Sequence, residues 1–486
     1  MKAVGSLSSW LALAVANDET EMVAKNVKKS ANTKANAKTN PGQTPRWSAL
    51  ALAAALLLPG TGHAYSVLQA YQDALQHDST WRSAKFENEA GSENKAIGRA
   101  GLLPSVSANY SKSKNQADFT QKAGSLSNTT HPDYTSTSSS VSLRQTLFNL
   151  DGLARYRQGI AQSQSSEALF ASRHHELMVR VVSAYIELLF SADQLALATA
   201  QRDTLIEQKR VNERLFAKGE GTKTDVLETQ ARLDLAEAQL VETRDSQSVS
   251  RNALAAIVGH EVGQVDGLNA TFKPMLLQPA ELEAWKSLAM KNNPELQAQT
   301  YAVEVARQEV ARNRAGHAPR LDFVANLSQS SSESLTTLNQ DSTIRSAGIQ
   351  LSIPLYAGGY VNATTNQASS SYLRAKADFD VRTDRILTDL QRQYNVVVGA
   401  VGKLDAQGKA VESARALIVA TQQSIKGGVR INLDLLNARQ QFYQAQRDLA
   451  QARYTYIQAY MRLRADAGVL APEDLNQLAG YFSATR

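Results

Sequence analysis

The sequence predicts a mainly α-helical protein with a transmembrane β part, built by internal duplication. An apolar residue recurs every seven positions in the C-terminal part, at Leu435, Phe442, Leu449, Tyr456 and Leu463. The stretch from Val226 to Leu254 carries the same repeat, 209 residues earlier in the chain. In addition, four short runs alternate apolar with small polar residues, which is the pattern of β-strands that face lipid on one side.

The seven-residue repeats predict long coiled-coil helices. Apolar residues at the first and fourth heptad positions keep one stripe against a partner helix. In the C-terminal copy the fourth position is always alanine, which lets the helix axes approach closely. Because both halves carry the repeat, we predict repeat 1 at 65–270 and repeat 2 at 271–486.

Composition excludes several classes of protein. The 486 residues contain no cysteine, which rules out disulfides, thiolate metal sites, a cysteine nucleophile and a lipid anchor on cysteine. Residues 1–64 hold seven Lys/Arg and three Asp/Glu, leaving 45 against 43 in the rest. That balance is not typical of a nucleic-acid-binding protein. Residues 65–486 contain no run of 18 apolar residues, so we expect no transmembrane helix there.

The N-terminal 64 residues are predicted to be an extension with a secretory signal peptide. Arg46 precedes the apolar run Ala49–Leu58, and Gly62-His63-Ala64 is a small-residue cleavage site after Ala64. The first 45 residues fit either an extended basic region or a translation start further downstream, for example near Met22. The alternative is a buried helix of the mature fold.

Repeat 1 is predicted to hold, in order, a helix (66–99), a β-hairpin (about 104–148), a long helix (about 152–217) and a helix (about 222–258). Val106, Ala108 and Tyr110 alternate with polar residues in the first strand, and the polar stretch 118–137 is expected to be an exposed loop. The long helix contains no proline, and at 1.5 Å per residue its length is roughly 100 Å.

Repeat 2 follows the same plan. It is predicted to hold a helix, a β-hairpin (about 319–356), a long helix (about 360–426), a helix (about 432–465) and a C-terminal tail. Its first strand has Leu321, Phe323, Ala325 and Leu327 on one face, and the polar stretch 330–342 is expected to be a loop.

Four strands of this length cannot seal a membrane pore alone. An open sheet leaves unpaired edges, which lipid does not tolerate. Two copies of the chain would supply eight strands and three copies would supply twelve, while the long polar helices would project into an aqueous compartment. The alternative is a soluble secreted protein with two β-hairpins on coiled coils.

One motif in each repeat resembles a known family. Gly428-Val429-Arg430, followed by Leu433–Ala438, is similar to the TolC family of outer-membrane channel-tunnels, and Gly219 with Thr224–Glu228 is the matching motif of repeat 1. The resemblance covers Ser66 to Leu470. It implies a homotrimer in the cell outer membrane, with a 12-stranded β-barrel continuous with a coiled-coil α-helical barrel in the periplasm.

The resemblance also implies a function and partners. The expected role is the exit duct of a tripartite export system, with a periplasmic adaptor protein and an inner-membrane ABC transporter or other pump. The Gly428–Ala438 motif looks most like type I protein secretion, and the same duct for small-molecule or drug efflux is the first alternative. A periplasmic coiled-coil structural or adaptor protein without a barrel is the second.

The resemblance further assigns two residues to the periplasmic aperture. Asp434 matches a family acid that rings the constriction, where three copies would attract cations. Asn437 stands where the family has a second acid, so half of the acidic groups would be missing. The alternative for Asp434 is a solvated residue favoured by the helix dipole.

Other family positions predict a closed-state latch and a docking site. Arg430 would bind Thr224 and Asp225 and hold the aperture closed, unless it is an ordinary surface arginine. Gly219, Gly427 and Gly428 would form the periplasmic turns. Arg214-Leu215 resembles the adaptor-docking motif with one extra residue before the glycine, and the alternative is a routine charged helix surface.

No enzyme activity, cofactor or metal site is predicted. His174-His175-Glu176 are adjacent on a helix and do not face one another. Gly358-Gly359 and Gly427-Gly428 lack the strand–loop–helix context of a phosphate loop, so they are interpreted as turns.

Overall fold

The computed structural model describes residues 65–124, 126–131, 133–269, 272–275, 277–333 and 339–483. The helices are α1 Val67–His77, α2 Ser79–Ser92, α3 Asn94–Ala100, α4 Leu150–Ala217, α5 Lys223–Val258, α6 Leu282–Asn292, α7 Pro294–Arg314, α8 Tyr360–Lys426, α9 Asn432–Asp466 and α10 Pro472–Ala479. The strands are β1 Ser105–Gln116, β2 Phe119–Ala123, β3 Leu126–Thr130, β4 Asp133–Phe148, β5 Gly267–Leu268, β6 Arg320–Ser332, β7 Gln340–Ser352 and β8 Phe482–Ser483. The predicted extension, signal peptide and cleavage site after Ala64 lie outside the described residues.

The two halves of the chain contain matching helical hairpins. Helix α4 has 68 residues and α8 has 67, while α5 has 36 and α9 has 35. Each long helix follows a pair of sheet strands and ends in a glycine turn, from which the shorter helix returns alongside. The predicted mainly helical fold with a β part is therefore confirmed.

The predicted heptad seam is the buried stripe of these helices. In α5 the buried residues follow one another at intervals of three, four or seven, at Thr229, Leu233, Ala236, Leu240, Thr243, Ser250, Leu254 and Val258. In α9 the seam residues Leu435, Ala438, Tyr456 and Leu463 are buried, while Phe442 and Leu449 are half-buried. Three of these buried residues of α5 are polar, namely Thr229, Thr243 and Ser250.

The main sheet has four antiparallel strands in the order β1-β4-β6-β7. Its register aligns an apolar row of directly opposed residues, Val106, Leu143, Ala325 and Ala347. The next row is polar and consists of Ser107, Ser142, Asn326 and Ser346. Because opposed side chains lie on the same face and successive ones on opposite faces, the sheet has one apolar and one polar face.

The sheet strands are longer than predicted, and the stretch 118–137 is not a loop. It contains the hairpin β2–β3 and the beginning of β4. Its Ser/Thr-rich composition is typical of loops, but hydroxyl groups also pair across strands. Examples are Ser107 Oγ with Ser142 Oγ at 2.7 Å and Thr120 Oγ1 with Thr129 Oγ1 at 2.9 Å.

Two other predicted boundaries differ from the structure. The helix expected over 66–99 is divided into α1, α2 and α3, because Asp78 ends α1 and caps α2 by accepting a hydrogen bond from Trp81 N at 2.6 Å. The C-terminal tail contains α10 and β8, and Phe482 of β8 pairs with Leu268 of β5.

The hydrophobic core surrounds the middle of α4. Leu177, Met178, Val181 and Tyr185 are fully buried there, against α1, α6, α10 and the C-terminal half of α9. Among the described residues, α4 alone is long and apolar enough to cross a membrane by length and composition. Its apolar middle is instead packed inside the core.

Candidate functional site

Two glycine turns lie at the same end of the four long helices. Helix α4 passes into α5 through Gly219, and α8 passes into α9 through Gly428, with φ of +77° and +74°. Only glycine adopts such angles without strain. Next to the turns, Gln208 Nε2 of α4 donates to Asn432 Oδ1 of α9 at 2.9 Å. We call the two turns and their flanking helical turns the hairpin end.

The first turn is closed by a capping box. Thr222 is the N-cap of α5, and its Oγ1 accepts a hydrogen bond from Asp225 N at 3.1 Å. The carboxylate of Asp225 accepts in return from Thr222 N at 3.3 Å and from the Thr222 hydroxyl at 2.6 Å. The Asp225 side chain therefore takes part in capping the N-terminus of its own helix.

The second turn has no such cap, and Asp434 stands in the first turn of α9. The N-cap is Ile431, whose side chain makes no capping bond. Asp434 is half-exposed and lies 3.8 Å from Arg430 Nη1. An acidic side chain at this position interacts favourably with the helix dipole. Gly427, one residue before the left-handed Gly428, has φ of −83° and ends α8.

The second predicted aperture residue, Asn437, is bound from the neighbouring hairpin. Arg232 of α5 donates from Nη2 to Asn437 Oδ1 at 2.7 Å and from Nη1 to Gln440 Oε1 at 3.0 Å. Asp434 and Asn437 therefore have different partners within one protomer.

The protomer does not bring the predicted latch residues together. Arg430 pairs with Asp434 on its own helix, and Asp225 pairs with Thr222. Among the described residues, no hydrogen bond or ion pair joins Arg430 to Thr224 or Asp225. Thr224 is exposed. The latch stays a prediction.

The predicted docking residues lie on the outside of the first turn. Arg214 is largely exposed and its Nη2 is 3.9 Å from Glu207 Oε1. Leu215 is also exposed, as are Val429 and Ile431 at the second turn, with 81% and 63% of their surface accessible. The hairpin end thus presents apolar side chains beside charged ones.

Sequence reasoning missed a buried polar junction that joins the two hairpins. Asn212 Nδ2 of α4 donates to Thr229 Oγ1 of α5 at 2.8 Å, and both side chains are buried. Asn432 Nδ2 of α9 donates to the same hydroxyl at 3.4 Å. Directly beside the junction Leu205, Leu233, Ala236 and Leu436 form a small apolar cluster. A threonine at a seam position of α5 was the available signal.

One acidic group at the other end of α9 is strongly perturbed. Burial raises the pKa of Asp466 to about 7, and the charge of Asp389 acts in the same direction. By contrast, the adjacent histidines of α4 form no joint site: His174 Nε2 pairs with Tyr71 OH at 2.6 Å, and burial lowers the pKa of both His174 and His175.

Comparison with known proteins identifies the family. The model for "Outer membrane efflux protein" matches residues 70–260 and 285–469, one segment in each predicted repeat. The chain belongs to the outer membrane efflux protein family. It is 42% identical to the alkaline protease secretion protein AprF of Pseudomonas aeruginosa over 429 residues, which cover 88% of this chain and 89% of AprF.

Two further proteins agree with this assignment. The proteases secretion protein PrtF of Dickeya chrysanthemi is 38% identical over 429 residues, covering 87% of this chain and 93% of PrtF. The crystal structure of the Campylobacter jejuni CmeC outer membrane channel superposes with a TM-score of 0.72, at 15% identity, over 92% of this chain and 93% of that chain. At such low identity the superposition shows the fold alone.

Family membership confirms the predicted location. The protein resides in the cell outer membrane, and its helical part extends into the periplasm. Helix α4 begins two residues after β4 and runs roughly 100 Å before the first turn. The hairpin end therefore lies at the end of α4 that is remote from the sheet.

Proposed function

We propose that this chain forms the outer-membrane exit duct of a tripartite exporter dedicated to type I protein secretion. The observation that carries the proposal is the four-stranded sheet, which has one apolar face and two unpaired edges. Among the residues that the structure describes, strands β1 and β7 each pair on one side only. In lipid, each unpaired backbone group costs several kcal/mol, so the edges require other copies of the chain.

The helices carry a second indication of lateral assembly. Helix α5 packs on α4 and α8 packs on α9, and each leaves apolar residues exposed along its other side. On α5 these include Leu227, Val241 and Val249, and on α8 they include Val381, Val398, Val401 and Val419. Two different surfaces on one protomer suit a head-to-tail ring, in which each copy covers one surface of the next.

Three copies give the duct its dimensions. Three four-stranded sheets would close into a 12-stranded barrel, which is wide enough to leave a lumen, whereas two would give eight strands and a filled interior. The four long helices of each copy would then form a twelve-helix tunnel below the barrel. A homotrimer is therefore the assembly we propose.

The hairpin end would be the regulated entrance of this tunnel. Asp434, half-exposed and without a cap to hold it, would line the periplasmic aperture in three copies and attract cations. Because Asn437 is neutral where the family has a second acid, the ring would hold fewer negative charges. Arg430 would leave Asp434 to reach Thr224 and Asp225 of a neighbouring hairpin when the entrance is closed.

The same end would receive the partners. Arg214, Leu215 and the exposed Val429 and Ile431 beside the glycine turns form a mixed apolar and charged surface for a periplasmic adaptor protein. In this proposal the protein is a passive duct. An inner-membrane ABC transporter would therefore supply the energy for export.

The substrate class rests on relatives. AprF and PrtF carry protease secretion in their names, and both match over most of this chain. The family description, outer membrane efflux protein, supports the alternative in which the same duct exports small molecules.

Deletion of the gene from the source strain tests protein secretion and small-molecule efflux in parallel. We expect the loss of secreted protease from the culture medium, measured by zymography, and its return when the intact chain is supplied again. Normal secretion combined with increased sensitivity to drugs and dyes would instead establish small-molecule efflux.

The duct itself is tested with purified protein. Detergent-solubilised particles should be three-fold, and in planar bilayers they should conduct ions with a preference for cations. Asp434→Asn should reduce that preference several-fold, measured as the reversal potential in a salt gradient. A water-soluble monomer that forms no channels would contradict the proposal.

A further inference from the structure

A groove beside the hairpin end is lined by arginines without any acidic residue. It lies between α4, α5 and α9 and has a volume of about 290 Å³. Its charged lining residues are Arg232, Arg439 and Arg447, and the others are glutamines, threonines, Tyr443 and a few apolar side chains. The groove therefore concentrates three positive charges.

Arg439 has a neutral hydrogen-bond partner and, within the part of the chain that the structure describes, no anionic one. Its Nη1 donates to the neutral Gln208 Oε1 at 3.1 Å. No carboxylate of the described residues lies within ion-pair distance of it. Burial lowers the pKa of Arg439, but a guanidinium keeps its charge in proteins. A half-buried charge with only neutral neighbours is unfavourable, and a carboxylate would relieve it.

The other two arginines are only loosely neutralised. Arg232 uses both arms of its guanidinium on neutral oxygens of Asn437 and Gln440, and its nearest carboxylate, Glu228, is 3.9 Å away. Arg447 is 3.8 Å from Asp448, which does not line the groove. Neither carboxylate belongs to the lining of the groove.

We propose that this groove binds the carboxylates of an acidic polypeptide segment. Guanidinium groups bind carboxylates through two parallel hydrogen bonds, and the lining amides and hydroxyls supply further donors. Arg439 and Arg447 are eight residues apart on α9, or about 12 Å. Two acidic residues two turns apart on a partner helix match that spacing.

The size of the groove favours side chains over a larger ligand. Its volume is at the lower limit of small-molecule pockets, so it admits acidic side chains but not a folded domain. The acidic segment is assigned to another component of the exporter, and only this assignment rests on the proposed function.

Binding of a designed peptide to the full-length protein in detergent tests the proposal. The probe is a fluorescein-labelled synthetic helix with two glutamates two turns apart, and its counterpart carries two glutamines. Fluorescence anisotropy should show at least tenfold tighter binding of the glutamate peptide. Arg439→Gln should weaken that binding about tenfold, while Arg462→Gln, an exposed arginine of α9 outside the groove, should leave it unchanged.

Several results would overturn the proposal. These are equal binding of the two peptides, unchanged binding by Arg439→Gln, or binding of sodium citrate without binding of the glutamate peptide. Because Arg439 is half-buried, Arg447→Gln at an exposed position provides a second variant, and it too should weaken binding if Arg439→Gln fails to assemble. Conductance of the unmodified protein tests the proposed duct separately. The groove proposal can therefore be contradicted while the duct proposal stands, and the reverse.

Discussion

The two helical hairpins are almost equal in length but differ beside their turns. Adding 209 to a residue number of the first hairpin gives its counterpart in the second, so that Gly219 corresponds to Gly428. The same offset pairs Thr222 with Ile431, Asp225 with Asp434, and Thr229 with Ala438. The backbone turn is common to both copies, whereas the side chains around it are not.

Equivalent aspartates have different partners in the two copies. Asp225 is held by the capping box of Thr222, while Asp434 has no such partner because Ile431 offers no side-chain acceptor or donor. A good N-cap stabilises a helix by about 0.5–2 kcal/mol. Both copies thus have an acid in the first turn of the shorter helix, whereas the capping box forms at Thr222 and not at Ile431.

The buried polar junction also belongs to the first hairpin. Thr229 binds Asn212 across the α4–α5 pair, whereas its counterpart Ala438 is a buried small apolar residue. Asn432 of the second hairpin donates to this hydroxyl at 3.4 Å. The first hairpin is therefore joined beside its turn by a buried side-chain hydrogen bond, and the second has a small apolar residue at the matching position.

The largest expected effect comes from breaking that junction with Thr229→Val. The variant keeps the shape of the side chain but removes a buried hydroxyl that accepts hydrogen bonds from Asn212 and Asn432 and donates one to Asp225 O at 2.8 Å. We expect a loss of about 1–3 kcal/mol in the free energy of unfolding, measured by thermal denaturation of the detergent-solubilised protein.

Thr199→Val is the matched control for this variant. The Thr199 hydroxyl donates only to Leu195 O of its own helix, at 2.8 Å, so its loss should change stability far less. If the two variants were equally stable, the junction would not distinguish the first hairpin from the second.

The next largest effect concerns the other end of the second hairpin, where Asp466 corresponds to Ile257. The pKa of Asp466 is about 7 in the folded protein and near 3.8 when unfolded. Between these values the folded state binds more protons, so this group makes the protein less stable as pH rises from 4 to 7. Above pH 7 the destabilisation caused by the buried Asp466 carboxylate no longer changes with pH.

Asp466→Asn should therefore stabilise the protein at pH 8 by on the order of 1–2 kcal/mol and much less at pH 5. Thermal midpoints measured at both pH values check this, with Asp389→Asn as the control for the neighbouring charge. A stabilisation that is independent of pH would show that Asp466 stays ionised in the fold.

The sequence predicted the elements of this fold better than their limits. Heptad spacing identified α5 and α9, and the 209-residue offset identified the duplication, because both are periodic signals that burial imposes on the whole stretch. The extent of β4 was missed, since the serines and threonines of 133–138 suit a loop as well as a strand. Pairing across the sheet decides between the two.

The candidate site was predicted less completely than the fold. The glycine turns at Gly219 and Gly428 follow from local sequence, because positive φ restricts the residue type. The partner of Arg232 on α9 and the junction at Thr229 depend on how α4, α5 and α9 pack, which no local pattern encodes. The latch of Arg430 with Thr224 and Asp225 stays a prediction.

A cap can be restored in the second hairpin with Ile431→Thr. Asp434 is three residues further on, as Asp225 is from Thr222, so the variant should form the same capping box. We expect a gain of about 0.5–1 kcal/mol in stability. Since the box would hold the carboxylate of Asp434, cation preference in planar bilayers should fall as well.

Thr222→Ile is the reciprocal variant for this test. It should cost a similar amount of stability without altering cation preference, because Asp225 is not predicted to line the aperture. Equal effects of the two variants on ion selectivity would remove the functional difference between the aspartates.

The smallest energetic effect is expected from Arg430→Ser. The pair of Arg430 and Asp434 is half-exposed, and such pairs contribute only about 0.2–1 kcal/mol. If Arg430 also bonds Thr224 or Asp225 of a neighbouring hairpin, three weak links hold the closed entrance, and their loss should raise single-channel conductance with little change in thermal stability. Arg210→Ser removes a comparably exposed arginine, 3.4 Å from Glu207 on the first hairpin, and should leave conductance unchanged. An equal conductance change in both variants would indicate a general effect of surface charge, and the second hairpin would then have no special part in gating.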